Sequence, residues 1–278
     1  MNIFDIFNTI LVFPIINILL FIYHVLSLSP IPYPLGFSII VLTILIRLVL
    51  YPLTASQIKA AKKMQELNPH LSNLKEKHKN DAKMLQQETM KLYKEHGVNP
   101  AAGCLPVLIQ LPVIWGLYSV LNKVIHLGSA TVIEINKIAY VDFLKITKVW
   151  DTNFFGLPLA QNPQHLMSTI GPLILLVPIL TGVFQFIQSK MLIPAVNKNL
   201  PVKKDEKKKD DDFATAFQSQ SLYIFPVMIG FFSWSFPIGL SLYWNTFTIF
   251  GIIQQHRISG LGALEGWIEK VWQKKIKS

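Results

Sequence analysis

Arg47 is the residue whose type and position first point to a function. It lies in residues 35–56, an apolar stretch of membrane-spanning length that contains no other charge. The next charge, Lys59, is 12 residues farther along, or about 18 Å at the rise of a helix. Burying a charge at such a depth costs at least about 2.5–3.5 kcal/mol. Either an ion pair inside a helix bundle or a water-filled, positively charged cavity must therefore stabilise this arginine.

The other apolar segments offer Arg47 no carboxylate. Segments 104–125, 166–190, 218–235 and 237–256 have spanning length, and none of them contains Asp or Glu. The acids lie in the connecting loops and the terminal regions instead. This distribution weakens the ion-pair alternative and favours a hydrated cavity that waits for a negative charge on another molecule.

The last of these segments, 237–256, is unusually polar for a helix that faces lipid. Such a stripe should face the interior of a helix bundle. Its polar and amphipathic residues are Ser241, Tyr243, Trp244, Asn245, Thr246 and Thr248.

Patterns for catalysis and metal binding are missing from the sequence. The seven histidines are scattered, with no His-x-x-x-His or Cys-x-x-Cys pair, and no phosphate-binding loop occurs. Gly239-Leu240-Ser241-Leu242 lacks the second glycine of a serine-hydrolase elbow, and no histidine lies mid-span to act as its base. We therefore expect no enzymatic activity and no cofactor or metal.

Composition indicates a polytopic membrane protein. The chain of 278 residues is 51% hydrophobic and only 15% charged, against about 25% charged residues in soluble domains. The single cysteine excludes an internal disulfide. The net charge of +10 favours basic cytoplasmic loops and contact with anionic lipids. Nucleic acid is a weaker explanation, because the lysines are divided among separate loops.

The distribution of charge predicts the topology of an all-α protein with five spanning helices. Residues 57–99, with nine lysines against five acids, and the basic tail 257–278 belong in the cytoplasm. The loop 126–165 balances three lysines against three acids and is predicted outside. Residues 191–217 are polar and low in complexity, and we expect a disordered cytoplasmic loop.

Residues 57–99 predict an antiparallel helical hairpin. Leu67, Leu71 and Leu74 recur at helical spacing. Residues 79–81 (Lys-Asn-Asp) have the composition of a turn, and Gly97 that of a helix C-cap. Asn68-Pro69 is expected to kink or restart the first arm.

The N-terminal region, residues 1–34, leaves two alternatives open. Its apolar stretch, residues 10–28, predicts either a spanning helix or a helix that lies at the membrane interface. The proline-rich run 29–34 then imposes an extended break. A basic n-region and a small-residue cleavage pattern are missing, so we do not expect a cleaved signal peptide.

Several motifs together resemble the YidC/Oxa/Alb family of membrane protein insertases. The resemblance covers about residues 35–258, in the family's order and with a charged hairpin after the first span. Its motifs are Gly36-Phe37-Ser38-Ile39-Ile40 with Arg47 and Tyr51-Pro52-Leu53-Thr54; Asn99-Pro100-Ala101-Ala102-Gly103-Cys104-Leu105-Pro106 with Leu108-Ile109-Gln110-Leu111-Pro112; Phe225-Pro226-Val227; Phe236-Pro237-Ile238-Gly239-Leu240-Ser241-Leu242-Tyr243-Trp244; and Ile252-Ile253-Gln254-Gln255.

The resemblance implies a five-helix core with a hydrophilic groove that is open to the cytoplasm and to lipid and closed on the outer side. It places Arg47 in that groove and makes residues 3–28 an interfacial helix, which favours the five-span topology with the N-terminal side out and the C-terminus in the cytoplasm of a bacterial inner membrane. It also implies that the hairpin helps to recruit substrate or ribosome, and that the protein works beside the Sec translocon.

Two sets of site residues follow from the resemblance. Polar residues are expected to line the groove, although for each of them except Arg47 a hydrogen bond between helices is an equal alternative. This set comprises Arg47, Gln110, Gln185, Gln188, Trp244, Asn245 and Thr246. Apolar residues of the second and last core spans are expected to form a slide along which a substrate helix leaves. This set comprises Leu108, Leu111, Trp115, Leu240, Tyr243 and Phe247.

The predicted function is that of a membrane protein insertase and chaperone. It would move short hydrophilic segments of nascent membrane proteins through the groove and release their helices into the bilayer. A transporter or channel for a small anion, with Arg47 as its selectivity charge, is the alternative. That alternative predicts a through-pore and an internal repeat, and the sequence offers no convincing repeat. A structural scaffold that binds nascent helices without transferring them is a third hypothesis.

Overall fold

The structure, a computed structural model, describes residues 3–79, 81–99, 105–125, 129–147, 150–192 and 213–267. These residues are mostly helical, which confirms the predicted all-α class. The helices are α1 (Ile3–Phe7), a π-helical turn (Asn8–Val12), α2 (Phe13–Ser27), α3 (Pro34–Val49), α4 (Tyr51–Glu66), α5 (Asn68–Lys77), α6 (Ala82–Glu95), α7 (Leu105–Ile125), α8 (Ser129–Ile138), α9 (Pro163–Ile170), α10 (Leu176–Met191), α11 (Phe213–Ser235) and α12 (Ile238–Ser259), with 3₁₀ turns at Asp142–Leu144 and Pro172–Leu175 and a hairpin of β1 (Asn153–Phe154) and β2 (Leu157–Pro158).

Helices of membrane-spanning length and composition are present in the described residues. Asp5–Ser27 and Pro172–Met191 both meet this criterion. Pro34–Val49 and Tyr51–Met64 meet it together, as a bent pair. The prediction of five spans remains a prediction.

The chain forms two compact units. The first unit contains Met1–Val49, Val107–Gln185 and Ile224–Phe250. The second contains Leu50–Pro106, Phe186–Tyr223 and Gly251–Ser278.

The first unit is organised around apolar side chains of α2, α3, α7 and α12. These helices are apolar on most sides, as expected for helices that contact either a core or lipid. Among its most completely buried side chains are Leu19, Leu35, Ile39, Leu42, Leu117, Leu121, Leu159 and Tyr243.

The segment between α7 and α9 covers one end of this core. Its hairpin turns through Phe155 and Gly156, at φ +49° and +83°, which is the backbone of a primed turn that matches strand twist. The ring of Phe154 lies where a Cβ on Gly36 would stand, so only glycine fits there.

The same segment caps α12. The carbonyl groups of Gln161 and Leu159 accept from the backbone N–H groups of Ile238 and Gly239, each at 2.8 Å. The segment thereby satisfies donors that the first turn of α12 would leave unpaired.

Asn17 attaches α2 to the same segment. Its Nδ2 donates to the carbonyl of Ile138 at 3.0 Å, and its Oδ1 accepts from the N–H of Tyr140 at 2.8 Å. Farther along α2, the ring of Tyr23 stacks on Trp150 at a centroid distance of 4.2 Å. A polar residue that interrupts the apolar stretch 10–28 therefore makes a tertiary contact.

Three helix boundaries differ from the expected segments. The expected spanning segment 35–56 is divided at Leu50, between α3 and α4, two residues before Pro52, whose ring clashes with the carbonyl four residues earlier. The segment 166–190 is interrupted at Gly171, whose φ is +78°, so that α10 starts at Leu176. The predicted loop 126–165 contains a helix of ten residues, α8.

In the second unit, α5 and α6 form the predicted helical hairpin. A turn separates them, and Asp81 caps α6 by accepting from the N–H of Met84 at 2.9 Å. At the other end Gly97 adopts φ +64°, and the N–H of Val98 donates to the carbonyl of Tyr93 at 2.8 Å. This is a Schellman motif, which confirms the predicted glycine cap.

The first arm restarts where expected, since α5 begins at Asn68 with Pro69 in its first turn. The predicted disordered loop 191–217 and the lysines of the C-terminal tail fall largely outside the described residues.

Candidate substrate groove around Arg47

Arg47 lies in the last turn of α3 and is only 5% exposed. Its Nη2 donates to the backbone carbonyl of Phe247 in α12 at 2.7 Å. Its Cζ stands 3.4 Å from the centroid of the Phe247 ring. A charge-assisted hydrogen bond and a cation–π contact therefore hold the guanidinium against α12.

No described acid neutralises the charge of Arg47. The described residues give it no ion-pair partner, and its Nε is buried without a hydrogen bond. A buried charge with an unused donor is costly unless water or a ligand reaches it. This arrangement agrees with the absence of acids from the apolar segments.

One face of α12 presents a row of polar side chains. Ser241, Asn245 and Thr248 follow one another at intervals of four and three residues, which places them on the same side of the helix. The Asn245 Oδ1 and the Thr248 Oγ1 are buried and have no partner among the described residues. Buried polar atoms of this kind are usually satisfied by ordered water.

A hydrogen-bonded chain connects this row to the neighbouring helices. The hydroxyl groups of Ser241 and Ser233 are 2.8 Å apart, and Ser233 donates to the Thr181 Oγ1 at 3.3 Å. One turn farther along α10, the Gln185 Oε1 accepts from the Trp244 Nε1 at 3.2 Å. Polar groups from three helices, α10, α11 and α12, thus meet inside the first unit.

The predicted groove residues have different surroundings. Arg47, Gln185 and Trp244 belong to the first unit and have the contacts given above. Asn245 belongs to the same unit, and its Oδ1 lacks a partner among the described residues. Thr246 donates to the carbonyl of Leu242 in its own helix at 2.8 Å, so its hydroxyl is satisfied locally.

Two other predicted groove residues are less defined. Gln188 belongs to the second unit and is half-buried. Gln110 lies in α7, and its side chain is outside the described part of the structure.

The predicted slide divides into two sets. Leu111 and Trp115, one turn apart on α7, are 53% and 56% exposed. Leu240 and Tyr243 are 2% and 0% exposed. These two pack in the core of the first unit, and their place in the slide stays a prediction.

The last two slide residues differ again. Phe247 is half-buried and has Arg47 against its ring. The side chain of Leu108 lies outside the described residues.

The residues predicted for the groove did not include several polar residues that the structure brings together. Thr181 precedes Gln185 by four residues and Gln188 by seven, a helical spacing that would have indicated one polar face on α10. No sequence pattern could have indicated the contact between Phe247 and Arg47, because the two residues are 200 positions apart.

A second polar cluster lies in the second unit. The Gln254 Nε2 donates to the hydroxyl of Thr54, and it lies 3.5 Å from the carbonyl of Tyr51. The Gln254 Oε1 and the Nε2 of Gln57 are buried without a partner among the described residues. This cluster connects α12 to α4 within that unit.

Comparison with known proteins gives one family. Residues 27–262 match the family described as 60Kd inner membrane protein. The match includes α3, the hairpin and α12.

Individual relatives support the same assignment. The membrane protein insertase YidC of Fusobacterium nucleatum is 34% identical over 229 residues, which cover 82% of this chain and 87% of the relative. That of Oceanobacillus iheyensis is 31% identical, with 90% and 82% covered. That of Streptomyces avermitilis is 34% identical, with 79% of this chain and 50% of the relative covered.

A solved structure is also similar. The crystal structure of an active YidC insertase with its first transmembrane domain resolved superimposes with a TM-score of 0.54 at 26% identity. The match covers 86% of this chain and 45% of that one.

Proposed function

Since this chain belongs to the 60Kd inner membrane protein family, whose members include the membrane protein insertase YidC, we propose that it inserts membrane proteins by receiving their hydrophilic segments beside Arg47. The chain is a membrane protein insertase that acts on nascent membrane proteins. One observation carries the proposed groove: Arg47 is buried, charged and without a carboxylate among the described residues.

The groove shortens the dry path that a hydrophilic segment must cross. The buried oxygens of Asn245 and Thr248 and the Nε of Arg47 lack partners among the described residues, so water in the first unit would stabilise them. A carboxylate of the incoming segment then replaces water at Arg47, where a lower dielectric constant strengthens the attraction. Hydration and charge thus combine to admit a short acidic segment.

The apolar part of the substrate leaves along α7. Leu111 and Trp115 present their side chains outward, where they can contact a helix passing into lipid. Burial of the substrate helix in the bilayer and the membrane potential supply the driving force. No covalent bond is made or broken in this cycle, so we propose that the protein needs neither a nucleotide nor a catalytic residue.

The basic segments of the chain define its partners and its orientation. We place the hairpin and the C-terminal tail in the cytoplasm, where lysines attract anionic lipids. The hairpin is the proposed point of contact with the ribosome. The family resemblance supports action beside the Sec translocon.

The N-terminal helix is proposed to lie at the outer interface. Its length would permit it to span the membrane. Asn17 and Tyr23, however, both contact the segment between α7 and α9, which we place outside. Contacts over two turns of α2 with one outer segment favour the interfacial position.

The test is an insertion assay with purified protein in vesicles of phosphatidylethanolamine and phosphatidylglycerol. The substrate is a single-span protein whose translocated tail carries either two Asp or two Asn. Arg47→Ala is expected to lower the insertion rate of the acidic tail about tenfold, the effect of losing one hydrogen bond to a charged group. The neutral tail should change by less than about twofold on the same physical grounds.

The chain offers a matched control for this substitution. Arg257 is the other arginine of the sequence and is exposed near the end of α12. Arg257→Ala should leave both tails unaffected. If both tails insert at the wild-type rate with folded Arg47→Ala protein, the arginine has no role in admitting substrate. A chloride flux that depends on Arg47 in the same vesicles would instead favour an anion channel.

A further inference from the structure

The contact between Arg47 and Phe247 is more specific than a hydrated charge requires. Two different groups of one residue hold the guanidinium: the ring face of Phe247, with Cζ 3.4 Å from its centroid, and the backbone carbonyl, 2.7 Å from Nη2. A guanidinium that only needed hydration would not require an aromatic face. The pair therefore fixes both the position and the plane of the cationic group.

The ring of Phe247 covers the face of the guanidinium and leaves its edge uncovered by the ring. Arginine has five N–H donors in one plane, and a ring that contacts the face of that plane blocks none of them. Phe247 occupies one donor through its carbonyl, while Nε is buried and has no acceptor among the described residues. The edge of Arg47 thus retains a donor that a carboxylate, which binds arginine in that plane, reaches by displacing the groups that now bury it.

We propose that Phe247 is a positioning residue that keeps the edge of the Arg47 guanidinium available to a carboxylate of the inserting segment. The inference rests on the proposed function and deepens it, because it makes Phe247 determine the preference for acidic segments. It also replaces the expected role of Phe247 as a surface of the slide. An apolar slide would require only a large apolar side chain, whereas positioning requires an aromatic face.

The test compares Phe247→Leu with Phe247→Tyr in the insertion assay with acidic and neutral tails. Leucine keeps an apolar side chain and the backbone carbonyl but removes the ring; tyrosine keeps the ring. Cation–π contacts correspond to roughly two- to thirtyfold in an equilibrium. We expect Phe247→Leu to lower the rate ratio of acidic to neutral tails about fivefold, and Phe247→Tyr to retain the wild-type ratio.

A second measurement reads the contact directly and does not depend on insertion. The sequence contains two arginines, Arg47 and Arg257, so protein labelled at arginine gives two side-chain signals in NMR. The Arg257→Lys variant assigns them. Stacking on Phe247 should move the Arg47 signal upfield by ring current; Phe247→Leu should abolish that shift, and Phe247→Tyr should preserve it.

Each result decides the proposal. A lost ring-current shift together with a reduced acidic-to-neutral ratio in Phe247→Leu supports it. An unchanged ratio, an equal loss for both tails, or the absence of the shift in the wild-type protein overturns it. If Arg47→Ala itself leaves the acidic tail unaffected, the proposed function of Arg47 fails, and that failure is visible without any Phe247 variant.

Discussion

Individual residues of the first unit gain their roles from tertiary partners. Arg47 attracts attention in the sequence, because a charge in the middle of an apolar segment is costly. Its partner Phe247 is 200 positions away. Single-sequence patterns report periodicity within a segment, so they identify the costly residue and not the contact that stabilises it.

Asn17 permits a test at this scale. Asn17→Ala would leave the N–H of Tyr140 and the carbonyl of Ile138 without their side-chain partner. The cost of leaving a buried group unpaired predicts a loss of about 2 kcal/mol in the free energy of unfolding. Equilibrium unfolding in mixed detergent and dodecyl sulfate micelles measures this difference.

Ser27→Ala is the control for Asn17. The Ser27 hydroxyl is exposed and donates to the carbonyl of Tyr23, in its own helix. Its removal should change the free energy of unfolding by less than about 0.5 kcal/mol. Equal effects of the two substitutions would mean that the contact between α2 and the α7–α9 segment does not stabilise the fold.

Among the secondary-structure elements, α10 and α11 approach each other closely at Gly182 and Gly230. A Cβ at Gly230 would lie 3.2 Å from the carbonyl oxygen of Pro178 and 3.6 Å from the Cα of Gly182. Small residues at such crossings let helix backbones approach within a membrane. The crossing brings Thr181 into contact with Ser233 and so helps to assemble the polar chain.

Gly230→Ala is expected to separate these helices. The added methyl group meets backbone atoms that cannot move aside alone, and overpacking of this kind costs about 1–3 kcal/mol. The same unfolding assay measures the loss. Gly266→Ala is the matched control, since a Cβ there would meet nothing within 4 Å. A neutral Gly230→Ala would show that the crossing is looser than its distances indicate.

The elements differ in how far the sequence predicted them. The helical hairpin could be predicted from the sequence because its determinants are local: Asn68-Pro69 restarts a helix, Asp81 caps one and Gly97 ends one. The helix α8 could not be predicted, because its charged and polar residues resemble those of a loop. Its position is held by tertiary contacts such as the hydrogen bond between Asn136 and Ile146. The burial of Leu240 and Tyr243 was not predicted either, because hydropathy does not distinguish a side chain in the protein core from one that faces lipid.

For the whole molecule, the orientation in the membrane is the prediction to test. In a Cys104→Ala background, single cysteines at Asp5, Gln87 and Thr147 report on the N-terminus, the hairpin and the α7–α9 segment. We expect an impermeant maleimide to label Asp5→Cys and Thr147→Cys on intact spheroplasts, and Gln87→Cys only after permeabilisation. Labelling of Asp5→Cys from the inside would show that α2 spans the membrane.

The central claim is that a hydrophilic segment of the substrate enters beside the polar residues of α12. A photoreactive benzophenone amino acid in place of Trp244, which hydrogen-bonds to Gln185, tests it on a stalled nascent chain. The control places the same probe at Val227, which is 72% exposed on α11. Mass spectrometry identifies the part of the substrate that each probe reaches.

Crosslinks are expected from position 244 to the hydrophilic segment, and none to that segment from position 227. Crosslinks to the hydrophilic segment from both positions alike, or from neither while insertion proceeds, would contradict a groove at Arg47 and α12.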